Sequence, residues 1–98
     1  MHIITQKRIW DAKVKYPEVS SALDGWYRIM KKNQFFGFSA MKRSFNSLDK
    51  VNDFYIFDIG GNKLRLIVNI HFNRQKVYVR YVLTHREYEN GTWKQKGR

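Results

Sequence analysis

Apolar and polar positions alternate most clearly in the C-terminal half of the chain. In "KLRLIVNIHF", residues 63–72, Leu64, Leu66, Val68, Ile70 and Phe72 take every second place. A period of two is the mark of a strand with one face on a core. "DFYIFDI" before it and "KVYVRYVLT" after it alternate in the same way, and the "GGN" and "NRQ" between them are of hairpin length. Three antiparallel strands are predicted. Tyr55, Phe57 and Ile59 face inward on the first strand, and Val77, Val79, Tyr81 and Leu83 on the last. Matching the faces predicts the register. A two-residue turn at Gly60-Gly61 pairs Phe57 with Leu64, Ile56 with Arg65 and Asp58 with Lys63. Pairing Phe72 with Val77 brings Asn69 to Arg80, His71 to Tyr78 and Arg65 to Thr84.

The N-terminal half changes period. "HIIT" is a short strand, and Thr5 is placed to cap a helix from Gln6. Ile9, Trp10, Ala12, Val14 and Tyr16 follow at roughly helical spacing, and Pro17 stops the run. Val19, Leu23, Trp26, Tyr27 and Met30 predict a second helix, with Lys31 and Lys32 where cations suit its dipole. "NQFFGFSAMKRSFNSLDKVND" is too long for a structureless loop. It predicts a short helix at about Ala40–Phe45 capped by Ser39, with Phe35, Phe36 and Phe45 on the core. "HREYENGTWKQKGR" reads as a turn or short helix and a frayed basic tail. The predicted class is α+β, with an N-terminal strand and a two-helix hairpin packed on one face of an antiparallel sheet. Residues 1–98 are expected to form a single domain around one modest core.

Charge adds the first functional constraint. Nineteen Lys and Arg oppose eight Asp and Glu, a net charge of +11. Both halves share it, with nine basic and four acidic groups in residues 1–49 and ten and four in the rest. A body that is basic throughout attracts polyanions, and nucleic acid is the leading class. The chain has no cysteine, which removes disulfides and Cys-based metal sites and suits a reducing compartment. No apolar run approaches the roughly 20 residues of a membrane span. The first residues lack the apolar core of a secretory signal, so a cytoplasmic location is expected. Three histidines without a His-x-x-x-His pair make no recognisable zinc site, and "HRE" lacks the Cys-x-x-Cys of zinc deaminases. "GGNK" lacks the spacing of a phosphate-binding loop.

The sheet face away from the helices carries the chemistry. It holds Lys63, Arg65, Ile67, Asn69 and His71 on the middle strand, and Lys76, Tyr78, Arg80, Val82 and Thr84 on the last. A solvated strand face is ordinarily polar, which accounts for Lys63, Lys76, Arg74, Asn69 and His71. It does not account for Arg65, which is central and flanked by strands on both sides. Cleaving RNA without a metal needs one group to deprotonate the 2′-OH and one to protonate the leaving 5′-oxygen. It also needs cations to neutralise the phosphorane-like transition state. Histidine moves protons near neutral pH, and arginine offers fixed charge and planar donors to phosphate. Arg65 beside "THREY", residues 84–88, brings both together with a tyrosine. On residues alone two other readings stand: a non-catalytic RNA-binding module using the same charge and Tyr78, and a basic face that docks an acidic protein.

"GGNKLRL" and "THREY", separated by a strand pair of fitting length, resemble the HigB family of toxins from bacterial toxin–antitoxin pairs. "MHIITQKRIWDAKVKYPEV" and "GWYRIMKK" are similar too, so the resemblance covers almost the whole chain. It implies a RelE-like fold and a ribosome-dependent mRNA interferase. Such a toxin cuts message in the A site of the 30S subunit by 2′-OH attack, with no metal or cofactor. It implies a HigA-type antitoxin partner with a helix-turn-helix domain, which alone reaches operator DNA. It implies Arg65 at the scissile phosphate, His85 in proton transfer and Tyr88 stacking on a base or assisting His85. Lys63, Arg74, Arg80 and Arg86, with Tyr78, are the expected RNA-binding residues. Where RelE itself carries lysines before the turn, this strand reads "YIFDI". Asp58 is therefore expected to pair with Lys63, and His85, Glu87 and Tyr88 all stay open as the general base.

Overall fold

The computed structural model describes residues 1–96. Strand β1 (His2–Ile4) leads into helices α1 (Lys7–Lys15) and α2 (Ser20–Lys32), with a 3-10 turn at Pro17–Val19 between them. A short helix α3 (Phe38–Ser44) precedes β2 (Asp49–Val51), β3 (Phe54–Ile59), β4 (Leu64–His71) and β5 (Lys76–Thr84). Two short helices, α4 (His85–Asn90) and α5 (Thr92–Lys96), close the described chain. The strands form one sheet in the order β1-β5-β4-β3-β2. β1 runs parallel to β5, with Ile3 beside Val77, so the sheet is mixed rather than purely antiparallel. The last residues of the predicted basic tail, Gly97 and Arg98, lie outside the described residues.

The helices cover one face as their spacing predicts. Ile9, Ala12, Leu23, Trp26 and Met30 meet Phe57, Leu64, Leu66, Val68, Val77 and Val79 in the main core. The stripe on α1 is narrower than expected, because Val14 is 83% exposed and Trp10 turns outward against Tyr27, 5.0 Å between ring centres. Thr5 does not cap α1 through its side chain. It sits at φ 67°, in the left-handed region that reverses the chain out of β1, and only its carbonyl accepts from Arg8 N–H. Ser39 is likewise inside α3, which starts after Gly37. Phe35 is buried and Phe45 lies against it, whereas Phe36 points to solvent.

The β3–β4 connection takes four residues, 60–63, with Gly60, Gly61 and Asn62 all at positive φ. Gly60 has a steric reason to be glycine as well: a Cβ there would stand 2.6 Å from Val19 Cγ1. The longer turn shifts the predicted register by two residues. Ile59 pairs with Leu64 and Phe57 with Leu66, so every side chain keeps its expected face. Asp58, however, lies opposite Arg65 rather than Lys63.

The β4–β5 pairing departs further. Ile67 pairs with Tyr81 and Val68 with Val79, which leaves Arg80 as the extra residue of a bulge. The bulge reverses the faces of the rest of β5. Val82 turns to the main core, while Tyr81 and Leu83, expected inside, pack on the opposite face. Arg65 consequently faces Leu83 and not Thr84. There Phe54, Ile56, Ile67 and Trp93 make a second buried cluster, joined by Val51, Tyr81, Leu83 and Tyr88. Trp93, on α5, stacks on Tyr88 and meets Phe54 edge-on. The face expected to be open is thus partly roofed by α4 and α5.

Among the described residues no helix is long and apolar enough to cross a membrane. Trp93 is 3% exposed at the centre of the second cluster. Trp93→Ala should therefore lower the unfolding free energy by about 3–5 kcal/mol, the usual cost of deleting a buried large aromatic. Urea denaturation of the two proteins measures this; a loss below about 1 kcal/mol would mean that the cluster does not hold α5 to the sheet.

Candidate active site

The site begins with a helix cap. Thr84 Oγ1 accepts from Glu87 N–H, and Glu87 Oε1 accepts from Thr84 N–H. This capping box starts α4 at His85, at the point where β5 ends. His85 is thereby held above β4, where the strand delivers Arg65. Glu87, one of the residues open as a general base, has its carboxylate engaged in the box.

Arg65 is 8% exposed and, among the described residues, is the one charged side chain that is buried. Its Nε donates to Asp58 Oδ1 at 3.1 Å, and its Nη2 lies 3.2 Å from His85 Nδ1. The guanidinium carbon is 5.5 Å from the centre of the Tyr88 ring, within cation–π range. Nη1 has no hydrogen-bond partner, so the fork keeps a spare donor. On its other side His85 Nε2 lies 2.9 Å from Glu89 Oε1. Asp58, Arg65, His85 and Glu89 therefore form one continuous polar chain from β3 across β4 to α4. His85 and Glu89 are 52% and 64% exposed, so the chain runs from the buried Arg65 and half-buried Asp58 to solvent.

Tyr88 lies between Arg65 and Trp93, and Trp93 Nε1 donates to the Tyr88 carbonyl at 3.0 Å. Burial, and after it the negative charge of Asp49, push the Tyr88 phenol above its ordinary value, while Arg65 pulls the other way. The phenol is therefore neutral at physiological pH and available as a proton donor.

A second polar group occupies the far end of the same face. Arg80 Nε donates to Asn69 Oδ1, Asn69 Nδ2 donates to the Asp53 carbonyl, and Arg80 lies over the Tyr78 ring. His71 meets Tyr78 edge-on at 5.3 Å. The predicted contacts Asn69–Arg80 and His71–Tyr78 are present, although between the bulge and the turn the ladder lies two residues from the predicted register, with Val77 paired to Ile70 rather than Phe72 and Asn69 to Tyr78. A cleft of about 330 Å³, lined by Lys50, Asp53, Tyr55, Asn69, Ile70 and His71, opens beside this group. Asn69 is four residues from Arg65 on one strand, about 13 Å at the usual strand rise.

Of the expected residues, Arg65, His85 and Tyr88 come together in one site, and Arg80 and Tyr78 in the second group. Lys63 is exposed in the β3–β4 turn, Arg74 in the 3-10 turn after β4, and Arg86 on α4. Of two further participants, Asp58 was expected against Lys63 and pairs instead with Arg65, and Glu89 went unread in the sequence. Asp58 required the true turn length. Glu89 was within reach: the Thr84-x-x-Glu87 spacing signals a helix start, which puts Glu89 one turn beyond His85 on the same face.

The chain as a whole is similar to known proteins. The family model HigB_toxin, described as the RelE-like toxic component of a toxin–antitoxin system, matches residues 19–91. The chain is 39% identical over 92 residues to the mRNA interferase toxin HigB of Escherichia coli K12, covering 91% of this chain and 88% of that protein. It is equally similar to the mRNA interferase HigB of Shigella flexneri. It is 35% identical over 95 residues to the mRNA interferase HigB of Escherichia coli O6:H1, covering 94% of this chain and 92% of that one.

Folding holds the neutral phenol of Tyr88, so the sign of its pH effect is fixed. Between the unfolded value near 10 and the raised folded value, the unfolded chain binds fewer protons and stability falls as pH rises. Spectrophotometric titration of the protein against Tyr88→Phe should show the lost phenol titrating above about pH 10. A difference curve with its midpoint at or below that value would contradict the half-buried placement against Trp93.

Proposed function

The chain belongs to the HigB family of RelE-like toxins, and from that premise we propose how it acts. It is an mRNA endoribonuclease, the toxic component of a toxin–antitoxin pair. The family assignment sets aside the RNA-binding module and the acidic-protein dock. The finer reading is that it works in the cytoplasm and cuts message in the A site of the translating ribosome. A HigA-type helix-turn-helix antitoxin restrains it and links it to operator DNA.

The observation that carries the mechanism is the contact of the buried Arg65 guanidinium with His85 Nδ1 at 3.2 Å. A phosphate that reaches this point meets a fixed cation and a proton-transfer group at once. In the proposed step Arg65 turns its Nη donors to the non-bridging oxygens of the scissile phosphate, which frees His85 Nδ1. That nitrogen takes the 2′-OH proton as the 2′-oxygen bonds to phosphorus. The bond from phosphorus to the 5′-oxygen breaks, and the leaving oxygen takes the Tyr88 proton. A 2′,3′-cyclic phosphate and a 5′-OH result. Proton exchange with water then restores the phenol and the neutral imidazole. Arg80, Tyr78 and the cleft beside Asn69 lie along the same face and hold the neighbouring RNA. Lys63, Arg74 and Arg86 surround it as phosphate contacts.

Removing Arg65 altogether confounds the test. The side chain was expected on an uncovered face, where truncation spares the fold. It is in fact buried and paired, so Arg65→Ala strands Asp58 and opens a void. Arg65→Lys keeps the charge and loses the planar fork. Primer extension on a translated message, with and without ribosomes, should show codon-spaced cuts by the wild type only when ribosomes are present. The rate should fall roughly 100-fold or more in Arg65→Lys and in His85→Ala. A folded variant of either kind that cuts at the wild-type rate would remove that residue from the mechanism.

A further inference from the structure

We propose that Glu89 is a positioning residue. It holds the His85 ring in the Nε2–H form, with the Nδ1 lone pair turned toward Arg65. The role of that lone pair in cleavage rests on the reaction proposed above; the hold on the ring does not.

The tautomer follows from what each partner can do. A guanidinium only donates, so Nδ1, at 3.2 Å from Arg65 Nη2, presents a lone pair. A neutral imidazole with a bare Nδ1 carries its proton on Nε2. Nε2 lies 2.9 Å from Glu89 Oε1, and an ionised carboxylate only accepts. The two contacts, from opposite sides of the ring and from different elements, demand the same proton position. A histidine ring with one nitrogen on a carboxylate is fixed in both tautomer and orientation.

The local sequence builds this hold. The capping box fixes the start of α4, and His85 and Glu89 are then neighbours at i and i+4. Glu87, two residues nearer the cap, faces Thr84 and is not free to do the same. Glu89 acts through His85 and does not touch the reacting atoms. When a phosphate draws Arg65 away, the ring loses its partner at Nδ1 but keeps the one at Nε2. The lone pair then stays aimed at the site. Once Nδ1 takes the 2′-OH proton the ring is cationic, and the Glu89 carboxylate stabilises it.

The test reads the ring directly. Nitrogen-15 NMR of the imidazole, recorded where its shifts no longer change with pH, reports where the proton sits. In the wild type His85 should be the Nε2–H form alone. Glu89→Gln keeps an acceptor oxygen and should keep that form, whereas Glu89→Ala, left with only the Arg65 contact on a half-exposed ring, should admit a measurable fraction of the Nδ1–H tautomer. In ribosome-dependent cleavage Glu89→Ala should lower kcat about 10–100-fold with KM unchanged, and Glu89→Gln should recover part of the loss. A wild-type ring that already averages, or a Glu89→Ala protein that keeps both the single tautomer and the full rate, would overturn the proposal. If the wild type cut no message, the cleavage reading would fall, and the nitrogen shifts would still decide whether Glu89 holds the ring.

Discussion

An arginine in the middle of a sheet, 8% exposed, has to find its counter-charge within the protein. Arg65 finds it directly across the ladder in Asp58, and the pairing depends on the turn that joins their strands. A two-residue turn would set Arg65 against the apolar Ile56 and leave the guanidinium without a carboxylate. Four residues, three of them at positive φ, put Asp58 opposite instead. The contact of Gly60 with Val19 ties that turn to the start of α2. Helix packing, turn geometry, register and ion pair therefore form one sequence of causes, and the position of the His85 partner comes last in it.

The apolar half of the site matters as much as its charges. The bulge at Arg80 sends Tyr81 and Leu83 to the face that carries Arg65, where they join Phe54, Ile56, Ile67 and Trp93. This cluster keeps water from one side of the guanidinium, and a charge pair with a dry wall interacts more strongly than one in solvent. It also fixes Tyr88, stacked on Trp93 and facing Arg65. The bulge thus serves both groups on the face. Its extra residue reaches Asn69 in one, and the strand beyond it supplies the wall of the other.

Much of this was legible in the sequence. The period-two runs located β3, β4 and β5, and the helical spacing located α1 and α2, because in each the burial of one face dominates every other preference. Arg65 stood out as a charge where a solvated face does not explain one. What escaped reading depends on contacts between distant segments. The length of a glycine-rich turn cannot be seen when one more pair of residues preserves both faces. The bulge leaves the alternation of "KVYVRYVLT" intact, since Val and Leu suit the core and Tyr and Leu suit the small cluster equally well. Trp93 lay in a stretch with no period, and only its partner Phe54 reveals its role. Glu89 was missed for a different reason: the capping box that places it was readable and went unread.

The charges of the protein work on two length scales. A net charge of +11 sets up a field that draws RNA from solution, but at physiological ionic strength that field fades over about 8 Å. Within the site the balance is different, because Arg65 meets Asp58 and His85 meets Glu89. These carboxylates reduce the local attraction for phosphate, so affinity alone would select against them. Their presence is consistent with a demand for geometry. A long guanidinium and an imidazole have several rotamers each, and a carboxylate on the far side of each leaves one. The surrounding lysines and arginines can supply attraction without being held still, whereas groups that must meet a reacting phosphate need fixed positions before it arrives. Under the proposed mechanism the acidic pair is the scaffold of a basic site, with delivery of the substrate left to the rest of the surface.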